Sequence, residues 1–167
     1  KQGAHVTVVN VGGADTEATI RKALAIGADE AIRVNAVPTD GFAVAKQLAE
    51  VVKAGSYDVV ICGKESLDYN GGMVPGMLAS LLGFNFVNSC VGVEVDGSNA
   101  TLVREIDGGK ETLTTNLPLV IGGQKGIVEE KDLRIPNMRG IMTARTKALN
   151  VLEPVAADAK TKVVKFE

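Results

Sequence analysis

The sequence predicts an α/β fold in which a parallel sheet carries an added antiparallel β meander. In the first half of the 167 residues, apolar strand-like runs alternate with segments of helical periodicity, and this alternation is typical of right-handed βαβ units. In the second half, short strand-like runs follow one another between turn clusters. Hydrophobic residues make up 46% of the chain, which is enough for a compact core.

The alternating half is predicted to contain strands at 6–11, 31–34 and 58–62 and helices at 15–26, 38–55 and 73–82. The first strand is β-branched and apolar on both sides, as a strand covered on both faces would be. In the first helix, Ile20 and Leu24 lie on one stripe. Asp15 or Thr16 is expected to cap its first turn, and Gly27 to end it.

The second half is predicted to form a meander with strands at 87–95, 101–106, 111–115 and 117–121. The following segment, 124–147, is charged and irregular, with a short helix expected around 141–145. From Glu153 onward, an Ala- and Lys-rich tail is expected to leave the fold as an arm or linker.

The composition argues against several classes of function. The 18 basic and 20 acidic side chains give a net charge of −2, whereas proteins that bind nucleic acid or anionic lipid concentrate Lys and Arg in patches. Aromatic residues make up 4% and Trp is absent, which disfavours a base-stacking surface. No apolar run approaches the ~20 residues of a membrane-spanning helix. Cys62 and Cys90 lie outside any CxxC pair and are expected to be buried, reduced thiols of an intracellular protein.

Two loops are placed where ligands bind in open parallel sheets, outside the carboxyl ends of the strands. One is 10–14, and the other is 63–72, which leads into the third helix. Glycines let backbone approach a ligand closely, and the free N–H groups at a helix start attract anions. Ser66 and Asn70 add neutral donors and Lys64 adds a cation, which suits a nucleotide phosphate. On residue types alone, an ordinary strand-to-helix connection with turn residues explains the second loop better.

Catalysis by side chains is not indicated. Neither GxxxxGK[ST] nor GxGxxG occurs in the chain. Asp68 is the best candidate for a magnesium carboxylate, and it is better explained as an acceptor of backbone or ribose hydrogen bonds. His5 precedes its strand, at the edge opposite the loops, and no Ser-His-Asp set can be assembled.

Several motifs, in order along the chain, resemble the β subunit of electron-transfer flavoprotein. They are 17–29 (EATIRKALAIGAD), 63–68 (GKESLD), 103–109 (VREIDGG) with 111–113 (ETL), 117–118 (LP) and 138–145 (MRGIMTAR). One motif alone would be weak, whereas the set spans about residues 6–154. The resemblance implies a three-layer fold of the adenine-nucleotide α-hydrolase-like class.

The resemblance also implies a heterodimer. In the family, FAD lies mainly on the α subunit, and the β subunit holds AMP. The complex accepts electrons from dehydrogenases, often acyl-CoA dehydrogenases of fatty acid oxidation, and passes them to a membrane quinone reductase. The chain has no paired thiols or metal cluster of its own, which agrees with a carrier that is not an enzyme and relies on a bound cofactor.

The family's nucleotide-binding positions fall on the two loops chosen above. They correspond to Asn10, Val11, Gly12, Gly13, Gly63, Lys64, Ser66, Asp68, Asn70, Gly71, Gly72 and Val74. Many relatives have a Gln-Thr or Gln-Val pair where this chain has Met73-Val74, so one side-chain amide is lost. Binding would then lean on backbone N–H groups.

Partner-binding positions are implied as well. Glu105 matches a family glutamate that faces the α subunit near the flavin, although an exposed strand charge would explain it equally. The stretch Arg134, Ile135, Pro136, Asn137, Met138 matches the loop that docks on dehydrogenases. Met138 aligns with the aliphatic side chain that enters a pocket of the partner, and its flexibility suits several partners. The alternative is that Met138 is tucked under its own helix.

The expected organisation is one α/β nucleotide-binding domain at 1–152, without the family's first strand, followed by a shortened C-terminal arm at 153–167. The expected location is the cytoplasm, or the mitochondrial matrix in a eukaryote. Three alternatives stay open: a flavin-bifurcating relative with a second FAD in the β-subunit site, a stand-alone adenine-nucleotide-binding domain, and an interaction module built on the charged segment 124–147.

Overall fold

A computed structural model describes residues 3–68 and 70–165. Its elements along the chain are β1 (Thr7–Val11), α1 (Glu17–Ile26), β2 (Glu30–Val34), α2 (Gly41–Gly55), β3 (Val59–Gly63), α3 (Met73–Leu82), β4 (Asn85–Asp96), β5 (Asn99–Ile106), β6 (Gly109–Asn116), β7 (Leu119–Gly123), α4 (Met138–Ala144) and β8 (Leu149–Leu152). Single 3-10 turns lie at Ala14–Thr16 and Glu130–Asp132. The predicted α/β class is confirmed, because helices alternate with strands and parallel pairing dominates.

The chain divides into two compact units. The first unit comprises the chain up to residue 39 together with 133–157, and the second comprises 40–132 with the chain from 158 onward. The organisation predicted from the sequence, one domain at 1–152 followed by an arm, stays a prediction.

The first unit contains a three-stranded parallel sheet with the order β1-β2-β8. Ile20 and Leu24 of α1 are buried as the predicted stripe requires, and they pack with Ala28, Ala31 and Ala144. A cluster of this kind stabilises a helix mainly through its buried apolar face. Gly27 ends α1 as predicted, with a φ of +129°.

Basic side chains fasten α1 to α4. The Arg21 guanidinium donates to the carbonyl oxygens of Ala144 and Lys147, both at 2.7 Å. In return, Lys147 Nζ donates to the carbonyl oxygens of Leu24, at 3.0 Å, and Ala28. These carbonyls belong to helix ends or to the turns after them, where backbone acceptors have no helical partner.

The prediction missed β8, and it placed α4 three residues late. A strand of four residues is too short to show a period, and β8 is held by its parallel pairing with β2. The helix begins at Met138 rather than Ile141 because Asn137 caps it, its side chain accepting from the Gly140 N–H at 2.7 Å.

The second unit contains a five-stranded sheet with the order β3-β7-β4-β5-β6. The β3-β7-β4 part is parallel, and the β4-β5-β6 part is antiparallel. The long strand β4 belongs to both parts. Its register shifts between Val87 and Cys90, where Ser89 has a φ of +56°, so that the strand bends from one partner to the next.

The prediction that 117–121 is the fourth strand of the meander is wrong. That run forms β7, which lies between β3 and β4 and is parallel to both. Leu119, Val120 and Ile121 are all fully buried, on both faces of the sheet. An interior parallel strand needs this continuous apolar character, whereas a meander strand with one solvated face alternates.

The helices of the second unit pack on each other through small residues. Ala45 and Ala49 of α2 lie against Leu78 of α3, and all three are buried. The first turn of α2 is capped by Asp40, whose side chain accepts from the Ala43 N–H at 2.8 Å. The same carboxylate also accepts from the Thr161 N–H at 2.8 Å, so the C-terminal segment is tied to the start of α2.

Candidate functional site

The first loop, 10–14, begins within β1, since Asn10 and Val11 are the last two residues of that strand. It stays attached to β2. The Gly12 N–H donates to the Val34 carbonyl oxygen at 3.0 Å. A Cβ on Gly12 would lie 2.8 Å from Thr16 Cγ2 and 2.9 Å from Asn10 Oδ1. A larger residue at this position would therefore displace the Thr16 or Asn10 side chain.

The predicted capping bond by Asp15 or Thr16 is wrong. Thr16 occupies the N-cap position of α1, but its side chain bonds no helix N–H. Its Oγ1 instead lies 2.7 Å from the Gly13 carbonyl oxygen and 2.9 Å from Asn10 Oδ1, two acceptors for one hydroxyl hydrogen. The 3-10 turn at Ala14–Thr16 shifts the hydroxyl toward the loop, so Thr16 braces the loop rather than the helix.

Arg33 contacts the first loop, and the sequence reasoning did not single it out. It lies on β2 opposite Asn10 of β1, and only 5% of its surface is exposed. Its Nη1 donates to the Gly12 carbonyl oxygen at 3.0 Å and to Asn35 Oδ1 at 2.9 Å, and its Nη2 lies 3.2 Å from Glu17 Oε1. The sequence does contain one indication of this residue, because Arg33 is the single charged residue in the otherwise apolar run 31–34.

The second loop, 63–72, leaves the carboxyl end of β3. The Lys64 N–H donates to the Gly123 carbonyl oxygen at 2.9 Å, which extends the pairing of β3 with β7 by one residue. A Cβ on Gly72 would lie 3.3 Å from the Lys64 carbonyl oxygen. The two ends of the loop therefore approach each other closely at a glycine.

Hydrogen bonds between Ser66 and Gly71 close the middle of this loop. The Ser66 N–H donates to the Gly71 carbonyl oxygen, and the Gly71 N–H donates to Ser66 Oγ, both at 3.1 Å. The Ser66 hydroxyl accepts here, and its own hydrogen can still be donated. Asn70 has a φ of +56°, a left-handed conformation that Asn tolerates well. Tyr69 lies outside the described residues.

The N-terminus of α3 presents backbone N–H groups without a side-chain cap. Gly72 is the N-cap residue and has no side chain with which to cap the first turn. Pro75 lacks an N–H, so the N–H groups that the helix start can offer are those of Met73 and Val74. Val74 packs its side chain with the α2–α3 core cluster, so only its backbone can face a ligand. Uncapped N–H groups and the helix dipole together favour an anion.

Lys64 and Asp68 lie in the same loop. Lys64 Nζ is 3.7 Å from Glu65 Oε1, and both side chains are partly exposed, so this pair adds little stability. Asp68 is exposed in the loop. In the two described stretches of chain, no group of His, Cys, Asp and Glu could hold a metal ion.

Glu105 is exposed near the end of β5, and its carboxylate accepts from the Gln124 side-chain amide. This bond joins the meander to the segment that follows β7. The neighbouring Arg104 pairs across the strands with Glu111, at 3.0 Å. In the chain without a partner, Glu105 is therefore exposed to solvent. This exposure agrees with both interpretations of Glu105, an exposed strand charge and a contact to a partner.

The stretch 134–138 precedes and opens α4. Ile135 is 84% exposed and Met138 is 75% exposed, so Met138 is not tucked under its own helix. Arg134 lies beside Gly27. Apolar side chains this exposed are typical of interaction sites when they cluster. A groove of about 650 Å³ lies beside them, lined by Ala18, Arg21, Lys22, Ala25, Pro136, Ile141, Ala144 and Arg145.

Both cysteines are free thiols, but the prediction that both are buried is wrong for Cys62. Cys90 is fully buried, whereas Cys62 is half-buried, and burial raises the pKa of the Cys62 thiol above its usual value. A raised pKa lowers the fraction of the reactive thiolate at neutral pH. His5 precedes β1 and is exposed. No helix among residues 3–68 and 70–165 has both the length and the apolar character to span a membrane.

Fold and loops together define a class of protein: an α/β chain with glycine-rich loops at the carboxyl ends of parallel strands and an uncapped helix after one of them. The electron transfer flavoprotein domain model matches residues 1–157. The chain belongs to this family, and the resemblance to its β subunit is confirmed.

Three relatives illustrate the match, each an "Electron transfer flavoprotein subunit beta". The protein of Syntrophomonas wolfei subsp. wolfei is 36% identical over 163 residues, covering 97% of this chain and 64% of the relative. That of Bacillus subtilis is 32% identical over 157 residues, covering 92% and 60%. The human protein is 33% identical over 155 residues, covering 90% and 60%. The chain thus spans a little under two thirds of the length of these relatives.

Proposed function

We propose that this chain is the nucleotide-binding part of an electron-transfer flavoprotein β subunit. In this proposal it pairs with an α subunit that holds most of the FAD, and it binds AMP itself. It carries no catalytic residue of its own. The observation that carries the proposal is the uncapped N-terminus of α3 behind a glycine-rich loop, in a chain that the family matches over residues 1–157.

The residues of the second loop fit an adenylate phosphate. Gly72 lets the end of the loop pass close to the Lys64 carbonyl oxygen, which a Cβ would crowd, and this brings the start of α3 next to the Lys64 backbone. The Ser66 hydroxyl hydrogen and the N–H groups at the start of α3 are neutral donors, and Lys64 adds a partly exposed cation. Such a donor set binds phosphate without a metal ion.

The remaining nucleotide contacts are assigned to backbone and small side chains. They are Asn10, Val11, Gly12 and Gly13 in the first loop and Gly63, Asp68, Asn70, Gly71 and Val74 in the second. The exposed Glu105 is assigned to the α-subunit contact near the flavin. FAD, when bound, supplies the redox chemistry, and the role of this chain's residues is to bind and orient.

The electron donors are proposed to be dehydrogenases, acyl-CoA dehydrogenases among them, and the acceptor a quinone reductase. Donors would dock on Arg134, Ile135, Pro136, Asn137 and Met138. This assignment is supported by the exposure of Ile135 and Met138, since apolar side chains at the centre of an interface supply much of its binding energy.

The test is to purify the full-length protein with its α subunit and to identify the released small molecules by chromatography and absorbance. We expect one FAD and one AMP per heterodimer. Two FAD and no AMP would identify a flavin-bifurcating relative instead. A heterodimer without purine or flavin that accepts no electrons from any dehydrogenase would refute the proposal. ATP turnover by the chain alone, abolished in Asp68→Ala, would identify a stand-alone nucleotide-cleaving domain.

A further inference from the structure

Arg33 is a buried cation whose hydrogen-bond partners all lie around the first loop. A guanidinium stays charged at any ordinary pH, and a buried charge is tolerated only when it is paired. Here the pairing is incomplete, because Arg33 Nε is buried without a partner among the described residues.

The bond from Arg33 fixes the orientation of one peptide group. Gly12 is held on both sides: its N–H donates to the Val34 carbonyl oxygen, and its carbonyl oxygen accepts from Arg33 Nη1. In a trans peptide, the carbonyl of one residue and the N–H of the next point in opposite directions. With the Gly12 carbonyl directed at the buried guanidinium, the Gly13 N–H is directed away from it.

That N–H is available to a ligand. Within the described part of the chain, the Gly13 N–H has no hydrogen-bond partner, whereas the Gly13 carbonyl oxygen accepts from the Thr16 N–H at 3.1 Å. Without the bond to Arg33, the Gly12–Gly13 peptide could rotate, because glycine on both sides permits most backbone conformations.

We propose that Arg33 is a positioning residue: it locks the Gly12–Gly13 peptide so that the Gly13 N–H faces an acceptor atom of the bound adenine nucleotide. The inference rests on the proposed function for its ligand, and on the geometry of the first unit for its mechanism. Glu17 and Asn35 hold the guanidinium in place from two further directions. The planar fork of arginine can serve all three acceptors at once, which the single ammonium of lysine cannot do as rigidly.

The test compares Arg33→Met and Arg33→Lys with the control Arg21→Met in the full-length heterodimer. Arg21 also donates to backbone carbonyls of the first unit, but at α4 and the turn after it. Two quantities are measured well below the unfolding temperature: the Kd for AMP by titration calorimetry, and the exchange rates of the Gly12 and Thr16 amides in nucleotide-free protein.

We expect Arg33→Met to raise the Kd about tenfold, the effect of about one hydrogen bond, and to speed exchange of both amides. Arg33→Lys should have a Kd and amide exchange rates between those of Arg33→Met and the parent. If Arg33→Met does not fold, Arg33→Lys provides the test. Arg21→Met should lower the melting temperature and leave the Kd and both amides unchanged. The inference would be overturned if the parent and the Arg33 variants had equal Kd values for AMP. It would also be overturned if Arg21→Met lost as much AMP affinity as Arg33→Met. A parent without AMP affinity would refute the proposed function, and the amide exchange would then decide alone whether Arg33 holds the loop.

Discussion

Exposure separates the leucines that maintain the fold from those that do not. Leu102 is fully buried in the core of the second unit, whereas Leu67 is 98% exposed in the second loop. Truncating a buried leucine removes its burial energy and leaves a cavity. Leu102→Ala should therefore lower the free energy of unfolding by about 2–5 kcal/mol, while Leu67→Ala changes it by less than about 0.5 kcal/mol. Urea unfolding of both variants measures this, and similar losses would contradict the assigned core.

Met138 and Met142 lie on the same helix and provide a matched pair for the docking proposal. Met138 is 75% exposed and Met142 is 58% exposed, so neither is expected to affect stability. If Met138 enters a pocket on the dehydrogenase, Met138→Ala should lower kcat/KM for electron acceptance about tenfold, as loss of an interface anchor does.

Met142→Ala serves as the control and should leave kcat/KM within about twofold of the parent, as for a non-anchor contact. Steady-state assays of the full-length heterodimer with a dehydrogenase measure both variants. Equal effects of the two substitutions, or a changed melting temperature in Met138→Ala, would speak against a docking role for Met138.

Single residues also show where sequence reasoning stops. The glycines of both loops were predictable because glycine punctuates strand-to-helix connections. The contacts of Arg33 with the first loop were not predictable, since they depend on the pairing of β1 with β2, which places Arg33 beside Asn10. Likewise, a threonine at a helix start can cap the helix or bond the preceding loop, and only the folded backbone shows that the Thr16 hydroxyl bonds the loop.

At the scale of elements, α2 depends on a charged cap. The Asp40 carboxylate accepts hydrogen bonds from the backbone N–H groups of Ala43, Thr161 and Lys160, and the bond from Ala43 has the largest effect. These bonds hold the pKa of Asp40 below its ordinary value of 3.8. Because the folded pKa is the lower one, the carboxylate stabilises the fold above pH 3.8, and this contribution is lost as the pH falls through the folded pKa.

Asp40→Asn should consequently destabilise the protein at neutral pH, and the difference from the parent should shrink below pH 3.8. Urea unfolding of the full-length protein at pH 7 and near pH 3 measures the two differences. Asp107→Asn, on the exposed turn between β5 and β6, is the control. A difference that is the same at both pH values would show that the charge of Asp40 does not stabilise the cap.

Helices were predicted better than the order of the strands. The sequence places α3 at Met73–Leu82 as the structure has it, because a glycine at each end marks a helix of clear composition. A short apolar run such as 117–121 has no such markers, and its period cannot distinguish an outer strand from an interior one. The position of β7 follows from its burial between β3 and β4, which is a property of the folded sheet.

For the whole molecule, the fold class was predictable because it depends only on the alternation of elements, which many residues encode together. The division into two units was not, since β8 lies at residues 149–152 and pairs with β2, more than a hundred residues earlier in the chain. Pairing over such a distance leaves no local pattern in the sequence.

A nucleotide that binds only the native state must also stabilise it. If AMP is held as proposed, AMP at 100 times its Kd should raise the free energy of unfolding of the heterodimer by about 2.7 kcal/mol. Adenosine at the same concentration should give a smaller increase, because it lacks the phosphate that the uncapped α3 N-terminus favours.

The variant Gly72→Ala tests the same helix start, because its Cβ would lie 3.3 Å from the Lys64 carbonyl oxygen. It should reduce the stabilisation by AMP more than the stabilisation by adenosine. Thermal unfolding at fixed protein concentration measures these increments, and equal stabilisation by AMP and adenosine would show that the helix start does not bind the phosphate.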